Sequence, residues 1–188
     1  MDILFQLLHS KSEDLFYYSA FSFLKDTDYR QLTENTVILP LINGIKDKSM
    51  NVINIKIENQ DHYFIEKYLK WDSDFFQIPS FKIELIICKH TDSVLLNQAI
   101  NKYIDQIPEN SYYYIDIPTE NIYLLQALAS TNFKLIETRL NYYLPTVRTQ
   151  SETRYSVKNA GIDDIETLKT VVSFPLYAPV TPFTYSTF

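Results

Sequence analysis

Six consecutive residues, Trp71-Asp72-Ser73-Asp74-Phe75-Phe76, hold the densest chemistry in the chain. Aromatic faces stack on sugar rings and carboxylates accept hydrogen bonds from their hydroxyls, so Trp71, Asp72, Asp74, Phe75 and Phe76 form the candidate substrate-binding set. The same residues also read as a turn closed by Asx-type hydrogen bonds, with Trp71 and Phe76 buried. Cys88 and His90 stand two apart on a predicted strand and so share a face, which permits a thiol–imidazole dyad. Cys88 also ends the apolar run Leu85-Ile86-Ile87, where a cysteine serves as core packing. His9, His62 and Cys88 lack metal-ligand spacing. Asp163 and Asp164 fit a helix cap better than an acid–base pair. No catalytic, cofactor-binding or metal-ligating residue is assigned.

Composition narrows the chemistry further. The only two glycines are Gly44 and Gly161, and a phosphate cradle needs several so that the backbone can approach the phosphates. A P-loop and a dinucleotide fingerprint are therefore excluded. The net charge of -6, with no Lys/Arg run, argues against nucleic acid and against an anionic membrane surface. Cys88 is the only cysteine, which rules out an internal disulfide and fits a reducing compartment. The opening MDILFQLLHSKSEDLF lacks the positive charge, unbroken apolar run and cleavage site of a signal peptide. No stretch approaches ~18 apolar residues, so no membrane-spanning helix is expected and the predicted address is cytoplasmic. The 46% hydrophobic content suffices for a buried core. Fifteen tyrosines and twelve phenylalanines fit either core filling under a compositional bias or a stacking surface for a sugar or base.

Elements follow from periodicity and punctuation. Residues 1–24 read as two helical pieces, the second starting at Ser12. Thr36 to Ile45, interrupted by Pro40, reads as a short edge strand or a buried loop. Strands are expected at Asn51–Ile57, Tyr63–Leu69, Phe81–Cys88 and Tyr112–Ile117. A helix capped around Thr91–Ser93 runs to Ile104, and another, capped by Thr119, spans Glu120–Ser130 with Asn132 as its left-handed C′ residue. Phe133–Leu144 and Arg154–Ala160 read as further strands. Polar Pro145–Glu152 is the linker candidate, and a helix opens at Asp163 and runs to about Val172. Ser173–Phe188 carries no charge and is read either as a packed tail or as out-of-frame sequence.

Asn121 to Phe133 resembles the closing motif of the GNAT acetyltransferases, N-x-x-A-x-x-L-Y-x-x-x-G-F. Asn121 and Phe133 match, Leu124 takes the alanine position, and Ala127 the leucine position. Leu128 stands for the tyrosine and Asn132 for the glycine. Arg154–Leu168 resembles the opening strand and first helix of such a domain, through Asp164, Ile165 and Leu168. Trp71–Phe76 looks like the Trp-x-x-x-Phe-Phe element in the amino-terminal region of TDP-fucosamine acetyltransferase-like proteins. The resemblance covers roughly residues 65 to 174.

The resemblance implies an α/β, α+β layered fold. It would comprise a degenerate GNAT-like mixed sheet flanked by helices in residues 1–147, a linker at 148–152, and the first strand and helix of a second GNAT domain in 153–188. Full-length relatives move an acetyl group from acetyl-CoA to the amino group of a nucleotide-linked amino sugar. A backbone N–H in the central strand polarises the carbonyl, and the pyrophosphate rests on a Q/R-x-x-G-x-G/A loop. The family tyrosine protonates the departing thiolate, which Leu128 has no proton to do. No such loop follows Lys169, and no glycine follows Gly161. The expectation is a truncated relative, inactive alone, for which acetyl-CoA is the family's cofactor but not this chain's own. Its expected partners are a nucleotide-sugar ligand and either a second copy or a chain supplying the missing half. The alternative is a non-catalytic module that binds a sugar nucleotide or a protein.

Overall fold

A computed structural model of the chain describes residues 1–24, 28–140 and 161–167. The chain divides into two compact units, Met1–Tyr143 and Leu144–Phe188.

The first unit is built on a four-stranded mixed sheet in the order β1-β2-β3-β4. Strands β1 (Asn51–Ile57) and β2 (Gln60–Tyr68) form an antiparallel hairpin, and β3 (Ser80–Cys88) continues it antiparallel. Strand β4 (Tyr112–Ile115) lies parallel to β3 after a helical crossover. The β1–β2 loop is Glu58-Asn59, both at positive φ (46° and 65°). Such a pair twists with the strands it joins, and Asn tolerates the left-handed region best after Gly.

Both sheet faces are covered. One face carries Tyr63, Ile65, Leu85 and Ile87 against α1 (Asp2–Ser10), α2 (Ser12–Leu15) and α4 (Leu39–Lys46). The other carries Ile55, Ile57, Phe64, Ile83 and Ile86 against α6 (Ser93–Ile104) and α7 (Ile122–Ala129). Helix α6 begins where Asp92 accepts from the N–H groups of Val94 and Leu95, at 2.8 and 3.0 Å. It turns Leu96, Ala99, Ile100 and Tyr103 inward at helical spacing. Each large side chain so buried contributes about 1.5–3 kcal/mol.

Thr36–Ile45 is helical, not a strand or loop. Helix α3 (Tyr29–Thr33) passes through a π-helical turn at Glu34–Ile38 into α4. Pro40 has no N–H to bond the carbonyl four residues back, and its ring crowds that carbonyl; the widened turn relieves the clash. Gly44 serves close packing: a Cβ there would lie 2.7 Å from the Met50 sulfur. Helix α7 starts two residues later than expected. Asn121 Oδ1, not Thr119, accepts from Leu124 N–H at 3.3 Å. Its carboxyl end is closed by Thr131 Oγ1, which donates to Leu128 C=O at 2.7 Å. Asn132 is not at positive φ. Of the expected strand at 133–144, residues 133–140 form no strand and 141–144 lie outside the described residues; Leu135 and Ile136 are more than 80% exposed. Their alternation is irregular, and no neighbour pairs with β4's outer edge among the described residues.

In the second unit only residues 161–167 are described. Asp164 accepts from Gly161 N–H at 2.9 Å and donates its own N–H to Gly161 C=O at 3.1 Å. The turn opens a helix, as the capping assignment requires. The expected strand at 154–160, the linker at 148–152 and the tail at 173–188 lie outside the described residues.

One buried polar contact ties the sheet to α6. Tyr103 O–H donates to Glu66 at 2.5 Å while its ring stacks on Phe64 with centroids 4.3 Å apart. Burial, and then the bond to Glu66, push the Tyr103 pKa far up, so the phenol stays a donor. Tyr103→Phe removes that donor from a buried carboxylate and is expected to cost about 1–3 kcal/mol. The reading is a lower urea midpoint at unchanged m-value. Adding Glu66→Met should recover part of the loss, because no buried charge is then left unpaired.

Candidate functional site

A bulge in β3 creates the cleft. Ile65 faces Leu85 and Glu66 faces Ile83, so Glu84 is an extra residue with no partner on β2. A bulge bends its strand and increases the local twist. Accordingly β4 pairs with β3 only through Ser80–Ile83. Beyond it, no strand among the described residues lies beside the backbone of Leu85–Cys88 on that side. Lys82 fixes the point of divergence, pairing with Glu84 at 2.9 Å and Asp116 at 3.5 Å. Burial opposes the Lys82 charge, but the two carboxylates outweigh it and hold its pKa above the ordinary value.

The resulting cleft has a volume of about 210 Å³. Its floor is Leu85–Cys88. One wall is Lys11, Asp14, Tyr17 and Tyr18 from the amino-terminal helices, and the other is Pro118, Glu120, Asn121 and Tyr123 ahead of and within α7. Asn121 Nδ2 donates to Tyr18 O–H at 3.0 Å and closes the inner end. Burial pushes the Tyr18 pKa up to about 12, although the Asn121 bond works the other way. Asp14 pairs with Lys11 at 3.4 Å. Glu120 accepts from Thr119 O–H at 3.3 Å and stands at the positive end of α7. Two carboxylates and one ammonium around tyrosine rings suit a polar ligand with a cationic group. The volume falls below the roughly 300–1,000 Å³ of drug-sized sites and matches one ring, not a whole cofactor.

The sequence-predicted residues fall elsewhere. Trp71, Asp72, Asp74, Phe75 and Phe76 all lie on α5 (Lys70–Phe76), at the amino end of β3. The nine residues of β3 span about 26 Å, so α5 and the cleft occupy opposite ends of the sheet. The segment is a helix rather than a turn, and Trp71 (68% exposed) and Phe76 (58%) are not buried. Trp71 and Phe75 stack at 5.2 Å and Asp74 is paired with Lys70 at 2.7 Å. Only Ser73 points inward, accepting from Ser80 N–H at 2.8 Å.

Cys88 and His90 form no dyad. The strand ends at Cys88, whose thiol donates to the His90 backbone carbonyl at 3.2 Å, while His90 is exposed. Burial pushes the Cys88 pKa up, which keeps the thiol protonated. Among the described residues no group of three or more His, Cys, Asp or Glu is placed to hold a metal. No helix among them is long and apolar enough to cross a membrane. Sequence reasoning missed Lys11, Asp14 and Tyr18, because the Tyr18–Asn121 contact joins residues 103 apart. Comparison with protein-family models, curated proteins and solved structures gives no match in any of the three.

Two measurements test this geometry. Asn121→Ala removes both the α7 cap and the bond to Tyr18 and should cost about 1–2 kcal/mol. The expected sign is a lowered thermal midpoint together with stronger quenching of tyrosine emission by acrylamide. The second concerns His62, which is buried opposite Cys88 with Nε2 unbonded. Burial lowers its pKa. The unfolded chain, with an imidazole near ~6.5, therefore takes up its proton first as pH falls. The His62 contribution is complete above that pH and is lost on acidification toward the folded-state pKa. The urea midpoint should fall between pH 7.5 and pH 5.5 in the wild type and fall less in His62→Leu.

Proposed function

We propose that this chain is a GNAT-like ligand-binding unit without transferase activity of its own. In this reading its cleft holds the amino-sugar ring of a nucleotide-linked sugar. The observation that carries the reading is the cleft opened by the Glu84 bulge between β3 and the start of α7. The order of an antiparallel meander, crossover helix, parallel strand and helix agrees with the expected mixed sheet flanked by helices. Asn121 caps α7 and lines the cleft. Leu128 is buried against α6 in the second core, a packing residue where the family acid would stand. Asp14 and Glu120 supply the charge that a protonated amino group needs, and Tyr17 and Tyr123, both about half exposed, supply ring faces.

Acetyl-CoA is the cofactor of the enzymes the chain resembles, but the cleft volume of about 210 Å³ fits only a fragment of it. The test is a calorimetric titration of the purified chain with a thymidine-diphosphate-linked amino sugar and, separately, with acetyl-CoA. Saturable binding of the sugar and no heat from acetyl-CoA are expected. The N-acetylated sugar should bind more weakly than the free amine. Asp14→Asn with Glu120→Gln should weaken the amine by about tenfold, the value of one charged hydrogen bond. Saturable acetyl-CoA binding, or sugar binding untouched by the two carboxamides, would reject the proposal.

A further inference from the structure

The apolar surface at the amino end of the sheet is not used by the cleft. Trp71, Phe75 and Phe76 are 68%, 66% and 58% exposed and touch one another, with centroids 5.2 and 5.0 Å apart. Tyr68 and Ile78 flank the helix, and Tyr112 is tied to this corner by its N–H bond to Pro79 C=O at 2.8 Å. All three are also more than 40% exposed. Each of these six side chains, about half open, shows on the order of 100 Å² and the set about 600–700 Å². That exceeds the largest apolar patch of most monomers, roughly 300–600 Å², and approaches the ~800 Å² that each partner buries in a standard interface.

We propose that α5 is the centre of a two-fold interface between two copies of this chain. A monosaccharide would cover only a fraction of the patch, and Phe75 already occupies one face of the Trp71 indole. The net charge of -6 disfavours an anionic membrane as the occupant. A two-fold contact needs a self-complementary surface, and α5 supplies one. Trp71 and Phe75 are four apart on the helix, and so are Lys70 and Asp74 on the adjoining row. When two copies of α5 cross antiparallel about an axis through Ser73, Trp71 meets the second copy's Phe75. Because this operation maps position 73−n onto 73+n, it forms both Trp71–Phe75 stacks at once. Ser73 points into its own sheet, so the axis meets no bulky side chain on the outer face.

The chain has one tryptophan, and it lies in the patch, so its emission reports directly on the contact. The experiment is sedimentation velocity with parallel Trp71 fluorescence from ~1 to ~100 µM, the span in which small interfaces associate. The wild type should pass from monomer to dimer, and its emission should shift to the blue in step. Phe75→Glu should remain monomeric throughout with an unchanged circular dichroism spectrum. A wild type that stays monomeric to the highest concentration overturns the proposal, as does a dimer that survives Phe75→Glu. Trp71 emission that saturates with the nucleotide-linked amino sugar in a monomer also overturns it, and returns α5 to ligand binding. The Asp14→Asn with Glu120→Gln arm of the cleft titration separates sugar bound at the cleft from sugar bound at α5.

Discussion

At Glu84, β3 carries one residue more than the strand opposite it, and the extra residue changes the direction of the chain. Before the bulge, β3 has strands on both sides and behaves as interior sheet. After it, β4 has left, and the chain that follows β4 becomes the wall of a cleft. A bulged glutamate facing open water would leave the divergence loose. Here Lys82 holds Glu84 and Asp116 together, one residue from each branch of the fork. The pairs are partly exposed and worth little as stability. Their effect is geometric: they fix where the two strands part, and so the width of the cleft mouth.

The two cores that flank the sheet are stabilised by different means. The face under α1, α2 and α4 is apolar, closed by leucines and isoleucines. The face under α6 and α7 contains a carboxylate, Glu66, buried beside Phe64, Tyr103 and Tyr113. A buried charge with one donor is a costly arrangement, tolerable because the Tyr103 ring that donates also stacks on Phe64. The register of α6 is thereby specified more sharply than apolar packing alone would set it, since a slip of one residue would strand the carboxylate. Because α7 packs on α6, that register also places Asn121 and Glu120 at the cleft.

Much of this architecture is legible in the residues. Asp92 and the inward stripe Leu96, Ala99, Ile100 and Tyr103 announce α6, and the four strands of the sheet follow from their β-branched and aromatic runs. What escaped was governed by partners distant in sequence or by backbone detail. Pro40 reads as an interruption in a short edge strand or a buried loop, yet a widened helical turn accommodates it. Phe133–Leu140 has the composition of a strand, but composition cannot supply a neighbouring ladder. The Glu84 bulge left no composition signal, because a bulge is defined by the partner strand. The cleft therefore could not be found from spacing, whereas the aromatic cluster could, and the sequence alone did not reveal that Trp71 and Phe76 point outward.

The two proposed surfaces, α5 and the cleft, lie at opposite ends of β3. In sheets with parallel strands, ligands gather beyond the carboxyl ends, where strands part and helix N-termini converge. The cleft lies at that end of the β3–β4 pair, built from one bulge, one crossover and one capped helix. The amino ends face the opposite constraint. There β2 turns back through α5 into β3, and Ser73 is the residue of the short helix that is buried, bonded to Ser80 N–H. The exposed side of the helix carries three large aromatic rings. Burying them against a second copy would restrain α5 without touching the fork at Glu84. The proposed assembly surface and the proposed ligand cleft therefore share no residue.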